Sequence, residues 1–250
     1  MSKIVMGSRW PVFLAGIFSI LVAGDCAKKS SGTPAPDPVP VPSSPDVEMW
    51  MTRGDQTVLL QKQTGTLSFG TTANSFPNVD VDSASAFQTV DGFGYTLTGS
   101  SAYLINRMGA ASKTALLQEL FGSGPGGIGI SYIRVSIGAS DLSPTVFSYN
   151  DMPAGQTDPT LTQFSLAQDL TDLVPVLQEI LTINPGIKIM GSPWSPPVWM
   201  KTNGSTIGGS LQTQYYGSYA QYFVKYIQQM QARGISIHAV TIQNEPEHGG

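Results

Sequence analysis

The hydrophobic pattern changes character several times along the chain. Residues 11–23, PVFLAGIFSILVA, form a continuous apolar run. Residues 33–46, TPAPDPVPVPSSPD, place proline at near-alternate positions, a spacing that excludes sheet and helix and favours extended polyproline II. Short β-like runs follow at 58–60, 67–69 and 79–81, separated by Gly, Asn, Asp and Pro. From Phe87 onward, strand-like and helix-like stretches alternate. Residues 88–95 read as a strand ending in glycines. Residues 113–121 carry Leu116, Leu117, Leu120 and Phe121 at helical spacing, with Gly122 as the stop. Residues 130–137 read as a buried strand. Residues 165–181 read as a helix through Leu166, Leu170, Leu173, Leu177 and Leu181, with Ser165 and Gln168 as a capping box and a kink or restart near Asp172 forced by Pro175. Residues 187–190 are the next strand. Residues 214–233 give the clearest helix, with Tyr219, Phe223, Tyr226, Ile227 and Met230 on one face and Gly234 as the stop. Residues 237–243 are a further strand.

Continuous apolar strands alternating with amphipathic helices predict an α/β fold with a parallel sheet and helices outside it. The pattern fits the N-terminal part of a (β/α)8 TIM barrel, about four strands of it, preceded by a short β segment of a side β-domain. The expected organisation is a leader over 1–26, a proline-rich linker over 27–46, the β segment over 47–86 and the partial barrel over 87–250.

The leader changes the compartment expected. Lys3 and Arg9 precede the apolar run, which has the length of a signal-peptide core and falls short of the roughly 20 apolar residues that span a bilayer. Cys26 is the single cysteine, so no intramolecular disulfide is possible. It sits just after the apolar run, as in a bacterial lipoprotein signal, although Asp25 replaces the usual small residue before it. The expectation is export to the periplasm, the outer membrane or the exterior, with possible membrane attachment through a lipidated Cys26; cleavage near Ala23 with Cys26 incidental is the alternative. A formal net charge of −4 with 12% charged residues argues against a nucleic-acid partner.

Three strands end in polar chemistry. Asp141 follows 130–137, the block 192–197 containing Trp194 follows 187–190, and Asn244-Glu245-Pro246 follows 237–243. Active sites of β/α barrels gather at the C-terminal ends of strands, so a carboxylate, an indole and an amide–carboxylate pair are delivered to one rim. These types suit a sugar, whose hydroxyls need charged or amide partners and whose apolar ring face packs on an aromatic plane. His238 and His248 are too few and too isolated for a metal centre, and no cofactor is implied.

The segments Gly92-Phe93-Gly94, Ile133-Arg134-Val135, residues 191–204 (GSPWSPPVWMKTNG), Tyr222-Phe223-Val224-Lys225-Tyr226 and Thr241-Ile242-Gln243-Asn244-Glu245-Pro246 occur in order. Together they resemble glycoside hydrolase family 30, which holds glucosylceramidases, endo-β-1,6-glucanases and related β-glycanases. The resemblance implies that Glu245 is the general acid/base of a retaining β-glycoside hydrolase. It further implies that Asn244, Asp141 and Trp194 contact the sugar, that Trp199 lies near the cleft, and that Arg134 supports the carboxylates from the barrel interior. Gly99 stands where glucosylceramidases tend to carry an acidic residue, which leans the expectation toward a β-glucanase. The implied substrate is a β-glucan or β-glucoside. A β-xylanase on the same fold and a noncatalytic carbohydrate-binding surface protein are the alternatives.

A retaining enzyme needs a second carboxylate about 5 Å from the first, and the resemblance puts it at the end of a seventh strand. No Asp or Glu of this sequence matches that position. The expectation is therefore a piece lacking the nucleophile half, inactive by itself.

Overall fold

The computed structural model describes residues 46–248, apart from Thr66, Thr72, Asn74 and Asn78. The expected leader, Cys26 and the linker up to residue 45 lie outside the described residues. The described residues divide into two units, one of residues 46–50 and 63–71, the other of residues 51–62 and 72–248. In the first, Val47 forms an antiparallel bridge with Leu67, Gln63 donates its N–H to the Met49 carbonyl, and the Phe69 N–H is held by the Asp46 carboxylate. Two short strands, β1 (Trp50–Met51) and β2 (Gln61–Lys62), lie at the boundary between the units in sequence. The runs expected at 58–60 and 79–81 form no strand. Val79 and Val81 are 89% and 87% exposed, so their alternation meets no apolar surface to bury it.

The second unit holds a four-stranded parallel sheet in the order β3-β4-β5-β6. The strands are β3 (Thr96–Leu97), β4 (Tyr132–Ile137), β5 (Lys188–Pro193) and β6 (Ala239–Val240). Helices α1 (Gly99–Asn106) and α2 (Ala110–Phe121) connect β3 to β4, α3 (Leu173–Ile183) connects β4 to β5, and α4 (Tyr216–Gln231) connects β5 to β6. This is the succession of strands and helices expected of a partial β/α barrel. β4 and β5 pair along six residues, from Tyr132 with Lys188 to Ile137 with Pro193, whereas the outer strands are regular for only two residues each.

Several boundaries differ from those expected. The strand foreseen at 88–95 is regular only at 96–97. Residues 93–95 still lie against β4, with the Phe93 carbonyl accepting from the N–H groups of Ser131 and Tyr132. A Cβ on Gly94 would stand 1.5 Å from the Tyr132 carbonyl oxygen, so only glycine permits this approach. Helix α1 had no expectation; Thr98 caps it by accepting from the Ser101 N–H. Helix α3 begins at Leu173 and not at 165. Pro175 therefore lies in its first turn, where its missing N–H would have no helical partner. The capping box at Ser165 does not form, because the Ser165 hydroxyl accepts from the Ala167 N–H in a turn.

The helices cover one face of the sheet. Ile133, Val135, Ile137 and Ile189 are essentially inaccessible there, with Val176, Leu177 and Ile180 of α3 and Tyr222, Tyr226 and Met230 of α4. α4 thus presents Tyr219, Tyr222, Tyr226 and Met230 to the core, while Phe223 and Ile227 of its expected face are half-buried. Tyr149 stacks on Tyr226 with ring centroids 5.7 Å apart and an interplanar angle of 6°. The Tyr149 hydroxyl donates to the buried Asp169 carboxylate, and the Tyr149 N–H donates to the Tyr222 hydroxyl at 3.0 Å.

Burial raises the Asp169 carboxyl to about 6, and the Tyr149 hydroxyl opposes the rise in part. An acid with a folded pKa above its unfolded one stabilises the fold fully below the unfolded value and loses that contribution as pH rises through the folded value. Between pH 4 and 7 this group should therefore cost stability on the order of 2–3 kcal/mol. Asp169→Asn keeps an acceptor for Tyr149 and cannot ionise. In urea denaturation at pH 4 and pH 7, the variant should gain stability relative to the parent as pH rises; parallel pH profiles would refute the assignment.

Candidate active site

The two faces of β4 and β5 differ in chemistry. The apolar residues face the helices, while Arg134 and Ser136 on β4 and Ser192 on β5 alternate with them. Register places Arg134 beside Met190 and Ser136 beside Ser192. The Arg134 Nη2 donates to the Ser192 Oγ at 2.8 Å and to the Asn244 Oδ1 at 2.7 Å. Thr241 Oγ1 donates to Ser192 Oγ at 2.7 Å. The guanidinium carbon stands 4.5 Å from the centroid of the Trp194 ring, within the range of a cation–π contact. One cation therefore ties together an amide, a hydroxyl and an indole from the ends of β5 and β6.

The backbone beyond those strands is fixed as well. The Thr241 N–H donates to the Gly191 carbonyl, and the Asn244 N–H to the Pro193 carbonyl at 2.7 Å. Gln243 Nε2 donates to the carbonyls of Trp194 (2.6 Å) and Asn244 (3.0 Å). The expected strand at 237–243 thus continues as hydrogen bonding to β5 after its regular pairing stops at Val240. Glu245 then takes φ +44°, a left-handed conformation that costs an ordinary residue about 1 kcal/mol or more and is concentrated at functional sites. The His248 N–H closes this turn on the Glu245 carbonyl.

A hollow of about 770 Å³ opens at these strand ends, lined by Asp141, Trp194, Asn244 and Glu245 among others. A second hollow of about 170 Å³ shares Asp141, Trp194, Pro196, Thr206 and Ile207 with it, so the two adjoin along one groove. Asp141 and Glu245 are exposed, and Trp194 and Asn244 half-buried. Among the described residues, no donor engages the side-chain carboxylate of either Asp141 or Glu245. Arg134 lies behind the rim through its bond to Asn244. Trp199 lines neither hollow. Its indole N–H donates to the Asn150 carbonyl at 2.9 Å, and its ring meets Tyr215 edge-on at 4.9 Å, which turns it into the wall behind the groove. Lys201, Tyr219 and the loop residues 206–211 also line the larger hollow; sequence reasoning had not placed them there. The 202–210 stretch is rich in Gly, Ser and Thr, which identifies a loop without saying where it folds back. Among the described residues, no cluster of three or more His, Cys, Asp or Glu could hold a metal ion.

A parallel β/α sheet with a carboxylate, an amide and an indole gathered on one groove at its strand ends is the layout of a β/α-barrel active site. Residues 90–250 match the glycosyl hydrolase family 30 TIM-barrel domain, and the chain belongs to that family. It is 43% identical over 164 residues to an endo-1,6-β-D-glucanase of Neurospora crassa, a match covering 64% of this chain and 34% of that protein. It is 35% identical over 170 residues to the lysosomal acid glucosylceramidase of Mus musculus, covering 65% of this chain and 32% of that protein. A solved endo-β1,6-glucanase superposes with a TM-score of 0.65 at 37% identity, over 81% of this chain and 43% of that one. The matches span about a third of the length of the two curated relatives.

Arg134→Met should leave the Asn244 carbonyl oxygen and the Ser192 hydroxyl without their charged donor and cost about 2 kcal/mol of stability. Arg134→Lys should recover only part of that loss, because an ammonium lacks the planar fork that reaches several partners and stacks on the ring. Denaturant unfolding of both variants against the parent checks this, and equal stability of all three would dismiss Arg134 as the tie.

Proposed function

We propose that this chain carries the acid/base half of a retaining β-glycoside hydrolase that acts on a β-glucan, with β-1,6-linked glucan as the favoured substrate. The observation that carries the reading is the shared groove: Glu245, a carboxylate without a partner among the described residues, stands beside Asn244 in the same hollow as Trp194 and Asp141. In this mechanism Glu245 protonates the glycosidic oxygen as the bond to the anomeric carbon breaks, then takes a proton from the water that releases the sugar. Asn244 receives the sugar 2-hydroxyl, a contact that strengthens as the oxocarbenium-like transition state forms. Its amide is well prepared for this, since Arg134 holds the carbonyl end at 2.7 Å and so aims the NH2 group elsewhere. Trp194 takes the apolar face of the ring and Asp141 accepts from hydroxyls. Trp199 backs the groove wall. The nucleophilic carboxylate that completes a retaining pair is assigned downstream of residue 250, at the end of the seventh barrel strand.

The preference for β-1,6-glucan rests on the relatives named endo-1,6-β-glucanases, which match at higher identity than the glucosylceramidase, and on the groove, whose two adjoining hollows suit a polymer better than a single sugar. Export, with Cys26 as a lipid anchor, is proposed from the leader pattern alone; it would bring the enzyme to a substrate too large to enter a cell.

Two measurements test the reading. Trp194→Ala should abolish binding of β-1,6-linked gluco-oligosaccharides to this chain, seen by calorimetry, whereas undiminished binding would remove the groove from the proposal. In the protein that includes the seventh strand, Glu245→Gln should lower hydrolysis of β-1,6-glucan at least about 100-fold. The loss should be smaller for an aryl β-glucoside, whose leaving group departs without protonation; an unchanged rate on the glucan would exclude Glu245 as the acid.

A further inference from the structure

Lys201 is 7% exposed, and Tyr219 of α4 is 6% exposed, yet both line the 770 Å³ hollow. Lys201 ends the 3-10 turn Val198–Met200 and opens a loop that returns at Leu211 through an antiparallel bridge with Lys201 itself. Its Nζ donates to the Thr206 carbonyl at 3.1 Å. Among the described residues this Nζ makes no other hydrogen bond and has no carboxylate within ion-pair distance. An ammonium carries three donors, so two are unused. Burial pushes its pKa below the ordinary lysine value, as follows when a charge is held away from water without a counter-ion. The Tyr219 hydroxyl is likewise buried with no partner among the described residues. That hydroxyl is packed into the aromatic core, so the unfilled capacity that borders the hollow is that of the Lys201 ammonium, and a buried donor with unfilled capacity calls for a partner.

The bond to Thr206 has a second consequence. Thr206 and Ile207 line both adjoining hollows, so Lys201 pins the loop where one hollow meets the other. The loop's other side-chain hydrogen bonds run within itself, from Asn203 Nδ2 to the Ile207 carbonyl and from the Ser210 N–H to Thr202 Oγ1. Glycines 204, 208 and 209 all have positive φ, and Ile207 is 70% exposed, so the Lys201 bond adds a tie from a buried side chain to a loop with little apolar packing.

We propose that Lys201 is a glycan-binding residue of this groove, donating to sugar oxygens with its two unused N–H groups and fixing the 202–210 loop as the wall that bounds the bound chain. The ligand class follows from the balance of charge around the hollow. Asp141 and Glu245 offer acceptors and Lys201 offers donors. A neutral polyhydroxylated chain can satisfy both at once, because each hydroxyl donates and accepts, while an anion would meet the two carboxylates. The proposal rests on reading the hollow as a glycan site, and it adds a contact that the acid/base chemistry does not require.

The test uses this chain and a β-1,6-linked glucose pentasaccharide. In the unaltered chain, the saccharide should shift tryptophan emission, an effect lost in Trp194→Ala. It should also slow acetylation of Lys201 severalfold, followed by peptide mass mapping. Lys201→Met retains the aliphatic stem and should weaken binding roughly tenfold, as loss of a charged donor to a sugar oxygen does, with the folded state verified by circular dichroism. If the emission shifts but Lys201 acetylates at the same rate, or if folded Lys201→Met binds equally well, the Lys201 proposal falls and the glycan reading stands. If neither signal responds, the glycan reading falls and takes this proposal with it. Should Lys201→Met fail to fold, protection in the unaltered chain decides alone.

Discussion

A single guanidinium organises the functional end of this sheet. Arg134 sits in the middle of β4, on the face turned away from the helices, where a strand residue must be paired or solvated. It spends its donors on Ser192 and Asn244 and its flat face on Trp194. These three partners come from the ends of two other strands. Without that tie the segment after β6 would depend on a few backbone hydrogen bonds to β5, since its regular pairing is only two residues long. Lateral order at the rim thus comes from side chains where the ladder itself is short.

The same arrangement separates stability from chemistry. The apolar face of β4 and β5 packs on α3 and α4 through inaccessible Ile, Val, Leu and Tyr side chains, and this burial is the larger share of what holds the unit together. The opposite face carries Arg134, Ser136 and Ser192, which leads upward to Asn244 and Glu245. A strand alternates its side chains between faces, so one β4–β5 pair supplies both the core and the support of the groove. The Tyr149–Asp169 pair shows the cost of polarity on the helical side: burial there lifts the acid toward neutrality, whereas Asp141 and Glu245 stand at the exposed rim.

The groove also shows how polar capacity is left for a ligand. Most buried polar groups here are satisfied. Asp158, for example, accepts from Asn150, Thr162 and the Gln163 N–H, and these bonds outweigh its burial and hold it well below the usual carboxylate range. Among the described residues that line the larger hollow, the Asp141 and Glu245 carboxylates and the Lys201 ammonium have capacity to spare. They supply the donors and acceptors that a sugar chain would meet.

Read alone, the sequence determined the class of fold and the residues of the rim. Continuous apolar runs in the strands, helical spacing at Leu116–Phe121 and Tyr219–Met230, and polar residues placed just after three strands are local properties of the chain. The motif around Asn244-Glu245-Pro246 and the 191–204 block named the family before any coordinates. Strand limits and helix starts were less legible. Gly94 marks where backbone meets backbone, and Pro175 could begin a helix as well as kink one; the choice depends on what packs alongside. The depth of Lys201 and Tyr219 in the hollow, and the turning of Trp199 into the wall, belong to the tertiary structure alone. They depend on a loop folding back from Leu211 onto Lys201, a contact between surfaces that no spacing along the chain encodes.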